Sequence, residues 1–246
     1  MRTADDVQLL DNILRDTPTD GVTRRSLIQR AAVTAAAAGA AGALGPAAAF
    51  AQGNSGDTPE KVLNVAITAE ALAVTYLSGL LQNNLIPKQF VPVIKAANAS
   101  EYDHYMALKK LGAKPLTTKF WAPNAFFEKG KVFATIEAAE DLFVNAYLVG
   151  ATVFAKAGNA DAARYAGEIG GVEAQHRALA RFAQGKLPNN LGFEQYKLKT
   201  VDAHVKKLQS LGIGFGQKGS APGKFYEFPG KPPHSTVTKL SHPSPK

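Results

Sequence analysis

The chain has 246 residues, 46% of them apolar, and 28 Lys+Arg against 20 Asp+Glu give a net charge of +8. That apolar share excludes disorder throughout, and the length allows one or two domains. The absence of cysteine excludes disulfides, iron–sulfur clusters, thiolate-bound zinc and a thiol nucleophile, so any metal must be held by His, Asp, Glu or backbone oxygen.

Residues 1–51 read as an address. Arg24-Arg25-Ser26-Leu27-Ile28 precede an uncharged run over residues 31–50 that is rich in Ala and Gly and contains Pro46. The run closes on Ala49-Phe50-Ala51, a small-x-small cleavage pattern before Gln52. It is long enough to cross a membrane, but it is weakly hydrophobic, which suits a cleaved leader better than an anchor. The arrangement resembles a twin-arginine export signal. That resemblance implies export of an already folded protein to the periplasm or the cell exterior, with no stable membrane anchor after cleavage. A cysteine-free chain is compatible with an oxidising compartment.

Residues 52–185 carry four segments of helical period. The first is expected over about 59–81, with Thr58 as N-cap, Pro59 at N1, and Leu63, Ile67, Glu70, Val74 and Leu77 on one stripe. The second is expected over about 92–111, stopped by Gly112, with Ile94, Ala97, Glu101, His104 and Leu108 aligned. A long stretch, 113–131, follows and contains Pro115, Trp121 and Pro123. The third helix is expected over about 132–157, presenting Phe133, Ile136, Glu140, Phe143 and Tyr147. A tight Gly158-Asn159 turn leads to the fourth, over about 160–183, capped by Asn159, stopped by Gly185 and presenting Ile169, Glu173, His176 and Ala180. The fold expected is all-α: an antiparallel four-helix bundle with one long crossover between helices 2 and 3.

Residues 186–246 form a cationic extension, with ten Lys, no Arg and three acids. A short helix is expected over about 198–211, and residues 216–246 read as irregular, docked by Phe225, Tyr226 and Phe228. His204, His234 and His242 read as surface residues. No Arg cluster with interleaved aromatics is present, so no nucleic-acid partner is expected. A Lys-rich tail could still meet an anionic surface.

The chemistry concentrates in a two-fold echo. Glu70 on helix 1 is followed by Glu101-Tyr102-Asp103-His104 on helix 2, and Glu140 on helix 3 by Glu173-Ala174-Gln175-His176 on helix 4. Residues three apart on a helix share a face, so each Glu-x-x-His pair can converge on one point. Each set lies within an apolar stripe, where carboxylates are costly unless paired or bound to cations. Four carboxylates around two divalent cations cancel in charge. Oxygen and imidazole donors without thiolate suit Fe or Mn, and accept Zn.

The pattern resembles the ferritin-like di-metal carboxylate proteins, in which two helices give one Glu each and two give Glu-x-x-His. It is similar in particular to exported, desiccation-related ferritin-like bundles. Glu140-Asp141-Leu142-Phe143-Val144-Asn145-Ala146-Tyr147 resembles their third-helix Glu-Asp…Ala-Tyr segment, and Glu173-Ala174-Gln175-His176-Arg177 resembles their fourth-helix Glu-Ala-x-His-Arg segment. The resemblance implies a ferritin-like bundle holding two Fe or Mn ions on Glu70, Glu101, His104, Glu140, Glu173 and His176. It implies ferroxidase, peroxidase or catalase-like chemistry with dioxygen or peroxide. A structural, stress-protective bundle that binds metal weakly or not at all stays open, as does a homo-oligomer. Glu137 makes a Glu-x-x-Glu pair with Glu140, comparable to a pair in rubrerythrin-type peroxidases, unless it meets a Lys at the bundle edge. Asp103 and Asp141 are candidate acceptors for the ligand imidazoles. Tyr76 and Tyr147 lie within reach of the core.

Overall fold

The computed structural model describes residues 56–236 and 240–243. The expected leader, residues 1–51, lies outside the described residues.

Local capping sets the ends of the four long helices. Helix α1 (Pro59–Gln82) starts where Thr58 Oγ1 accepts from the Lys61 amide at 3.2 Å, with Pro59 in its first turn. Helix α2 (Val91–Lys110) is followed by Gly112. Helix α3 (Val132–Lys156) runs into a short turn through Gly158. Helix α4 (Ala160–Ala183) starts where Asn159 Oδ1 accepts from the Ala162 amide at 3.0 Å. Gly112 and Gly185 follow α2 and α4 with φ of +92° and +72°, a left-handed conformation that glycine adopts without steric cost. These boundaries lie within about two residues of those expected from the sequence.

The helices form an antiparallel four-helix bundle in which α1 packs on α2 and α3, and α3 on α4. Two apolar clusters fill it. One gathers Ile67, Leu72, Tyr105, Leu108, Phe143, Val149 and Ile169. The other gathers Leu77, Leu80, Ile94, Ala97, Val132, Ile136 and Ala180. On α2, α3 and α4 the Glu and His residues of the echo fall between the two clusters in sequence. The bundle thus has a polar layer with an apolar plug at either end.

The extension is more ordered than the sequence led us to expect. Helix α5 (Val201–Ser210) packs Val201, Val205 and Leu208 into the first apolar cluster. The crossover holds strand β1 (Lys119–Pro123), and the tail supplies β2 (Gly214–Phe215) and β3 (Gly223–Glu227). They make an antiparallel sheet in the order β2-β1-β3, pairing Phe120 with Phe215 and Trp121 with Phe225. Residues 216–246 are therefore not wholly irregular. Neither β1 nor β3 alternates cleanly in polarity, so neither strand carries a readable period of two. Phe228 stacks on Tyr102 and Tyr105, and Tyr226 on Phe127, so the aromatics do dock the tail.

His204 corrects a second expectation. It is buried, with Nδ1 2.8 Å from the Thr200 carbonyl and Nε2 3.1 Å from Asn145 Oδ1. Asn145 also accepts from the Leu198 amide and donates to the Gln195 carbonyl. One buried amide on α3 thereby anchors the connection into α5. His234 is half-buried, and His242 is exposed.

Candidate metal centre

Each helix contributes its polar residues at the depth where the apolar stripes break. Glu70, Glu101 and Glu173 are fully buried, and Glu140, His104 and His176 are at most 8% exposed. The six side chains meet in two overlapping groups. Glu70, Glu101, His104 and Glu173 make one, and Glu101, Glu140, Glu173 and His176 the other. Within each group, one donor atom per residue lies within 4.8 Å of every other. Glu101 and Glu173 belong to both.

Both imidazoles point Nδ1 inward. His176 Nδ1 is 2.8 Å from Glu101 Oε1, 3.2 Å from Glu173 Oε2 and 3.8 Å from Glu140 Oε1. His104 Nδ1 is 3.1 Å from Glu173 Oε1, 3.3 Å from Glu101 Oε2 and 3.6 Å from Glu70 Oε2. The ring centres are 6.5 Å apart. The Tyr147 hydroxyl donates to Glu70 Oε1.

Burial, reinforced by the charge on Glu173, pushes the Glu70 carboxyl well above the usual carboxylate range. Burial together with the charges of Glu173 and Glu101 does the same to Glu140. Glu101 moves the other way: burial would raise it, but the charge on His176 and hydrogen bonds to both imidazoles hold it well below that range. His176, which burial alone would lower, is pushed up to about 10 by the charge of Glu101 and hydrogen bonds to Glu101 and Glu173. His104 is likewise raised against burial, chiefly by the charge of Glu173. Burial and the charge on Glu70 raise the Tyr147 phenol.

The donor set fits a divalent cation. Glu70 Oε2, Glu101 Oε1, Glu140 Oε2 and Glu173 Oε1 are buried without a directed hydrogen bond. Two of them, Glu101 Oε1 and Glu173 Oε1, face an imidazole Nδ1 as ion pairs; buried carboxylate charge is expensive unless it is met, and a cation among the four oxygens would meet it. The six residues of the expected ferritin-like pattern converge here.

The flanking residues sort differently from expectation. Glu137 stays outside the cluster: it meets Arg181 at 2.9 Å, Lys186 at 2.6 Å and the Gln184 amide at 2.7 Å. Asp103 and Asp141 do not bond the imidazoles. Asp103 lies 3.4 Å from His242, and Asp141 lies 3.3 Å from Arg177 and 3.4 Å from Lys197. Asp103 sits about 100° round its helix from His104, and Asp141 about 100° from Glu140, and that rotation carries each to the bundle edge. Tyr76 donates to the Phe126 carbonyl at 2.8 Å, which spends its hydroxyl on the crossover. The sequence reading missed Ser100, whose Oγ lies 3.0 Å from His176 Nε2. A lone serine before a glutamate carries no signal by spacing; its partner is on another helix.

A family model for the ferritin-like domain matches residues 58–186, just over half of the chain. Comparison with curated proteins and with solved structures returned no match.

Proposed function

The chain belongs to the ferritin-like domain family, and from that premise we propose that it holds a dinuclear Fe or Mn centre on Glu70, Glu101, His104, Glu140, Glu173 and His176. One observation carries the reading: the two overlapping donor groups share Glu101 and Glu173. Glu101 and Glu173 would be held in common by two cations, leaving one carboxylate and one imidazole to each position. Glu70 and His104 would complete one position, and Glu140 and His176 the other. Such a pair of ions supplies two one-electron redox equivalents to dioxygen or peroxide, without thiolate ligands.

The protein's own residues prepare that chemistry. The apolar clusters at either end exclude water, so charge on the carboxylates must be met locally. Tyr147 orients Glu70 through its hydroxyl. The protons held by Glu70, Glu140 and the imidazoles leave when cations enter. Access is open on one side: His104 and His176 both border a groove of about 710 Å³ between α2 and α4.

The protein acts after export, on this reading, because Arg24-Arg25 and the following uncharged run resemble a twin-arginine signal. Kinship with the desiccation-related bundles rests on the resemblance of residues 140–147 and 173–177 to segments of those proteins. Metal analysis of the purified protein is the test. About two Fe or Mn per chain supports a redox centre, and no uptake after reconstitution leaves the structural, stress-protective reading in its place.

A further inference from the structure

We propose that Ser100 is a positioning residue that makes the two metal positions unequal, by fixing which nitrogen of His176 faces the carboxylates. The inference rests on the metal-binding reading above. Ser100 Oγ donates its one hydrogen to the Ala97 carbonyl at 3.1 Å, within α2. The same oxygen lies 3.0 Å from His176 Nε2 on α4. A hydroxyl has a single hydrogen and two acceptor lone pairs. A cation on Nδ1, the atom facing Glu101, Glu173 and Glu140, leaves the N–H of neutral His176 on Nε2. Ser100 Oγ is placed to accept that N–H while its own hydrogen goes to the Ala97 carbonyl. That is the form a cation requires, and the ring cannot turn without breaking the bond.

His104 has no such partner. Its Nδ1 faces Glu70, Glu101 and Glu173 in the same way, but among the described residues no hydrogen bond reaches its Nε2. The two-fold echo explains the difference. Ser100 precedes Glu101 as Val172 precedes Glu173, so valine occupies the position from which α4 would serve His104. Valine offers no acceptor. Both residues line the α2–α4 groove beside the two rings. Among the described residues no side chain holds the N–H of neutral His104 on Nε2. The position built on Glu140 and His176 is preorganised and fills first. The position built on Glu70 and His104 is the looser and more readily exchanged.

The test is a Co(II) titration of chelator-stripped full-length protein. Wild type should show two binding steps, the first tighter by about tenfold or more, as expected for an outer hydrogen-bond partner of a ligand. Ser100→Ala should weaken the first step by about that factor and leave the second unchanged, while Ser100→Thr, which keeps the hydroxyl, restores it. Val172→Ser offers His104 the missing acceptor and should tighten the second step, which keeps the proposal testable even if Ser100→Ala folds poorly. Proton NMR of the Co(II)-loaded protein should show one slowly and one rapidly exchanging imidazole N–H, and Ser100→Ala should make both rapid. Two equal steps in wild type, or unchanged steps and N–H exchange in Ser100→Ala, overturn the assignment of Ser100 and leave the metal reading standing. A wild type that takes up no Co(II) overturns both.

Discussion

Tyr147 on α3 donates its phenolic hydrogen to Oε1 of Glu70 on α1, joining helices whose sequence positions are 77 residues apart. Both side chains are buried. Tyr147→Phe removes the donor and leaves a buried carboxyl oxygen without it. The expected cost is about 1–3 kcal/mol of apo-protein stability, read as a lowered urea midpoint. Affinity for the ion on Glu70 should also fall, while the ion on Glu140 and His176 is retained.

The shared carboxylates and the terminal ones should behave differently on substitution. Glu101→Gln or Glu173→Gln should remove both ions, because each residue serves both groups. Glu70→Gln or Glu140→Gln should lower occupancy by one ion, counted by elemental analysis. Glu140→Gln should also stabilise the metal-free protein by roughly 1 kcal/mol, since it removes a carboxyl that burial and two neighbouring charges disfavour. Equal metal loss from all four variants would contradict the two-position arrangement.

Stability without metal should fall as pH rises. Glu70 and Glu140 are raised above the ordinary 4.5 in the folded state, and His176 is raised from 6.5 to about 10. A group whose folded pKa lies above its unfolded one contributes stability below the unfolded value and loses it as pH climbs through the folded value. The loss therefore starts near pH 5 and continues to about pH 10. Glu101 is depressed, so its contribution is present at neutral pH and is lost progressively as pH falls below about 4.5. Metal affinity should run the other way, rising with pH, because cations displace protons from these groups. Urea midpoints at pH 5, 7 and 9, with chelator and with Mn(II), separate the two trends.

The anchor of the extension should be separable from the centre. Asn145→Ala strips partners from the Leu198 amide, the Gln195 carbonyl and His204 Nε2 at once. Three groups lose a partner, of which His204 Nε2 is buried, at an expected cost of about 2–4 kcal/mol. Thermal unfolding should shift down accordingly while metal stoichiometry holds. Metal loss in this variant under folding conditions would mean that the extension helps build the centre.

Export should depend on the arginine pair. Replacing Arg24 and Arg25 by Lys should hold the folded protein inside the cell, measured by fractionation. Unchanged export of the double variant would point to another route.

Much of this molecule was legible in one dimension because its information is local. A helix face is set by residues three and four apart, so the stripes around Glu70, Glu101, Glu140 and Glu173 could be drawn without coordinates. Capping is local as well, and Thr58 and Asn159 act within three residues of their own positions. The charge argument was equally available, since carboxylates on four apolar stripes must meet something positive.

What the tertiary structure decided were contacts between residues far apart in the chain. Trp121 pairs with Phe225 across about a hundred residues, and a sheet of short, non-alternating strands leaves no period to read. His204 is buried because Asn145, 59 residues earlier, offers it an acceptor. Asp141 turns to Arg177 and Ser100 turns to His176, although spacing alone made Asp141 the better candidate to hold an imidazole. Sequence spacing fixes the direction in which a side chain leaves its own helix; the packing of the neighbouring helix fixes what it meets.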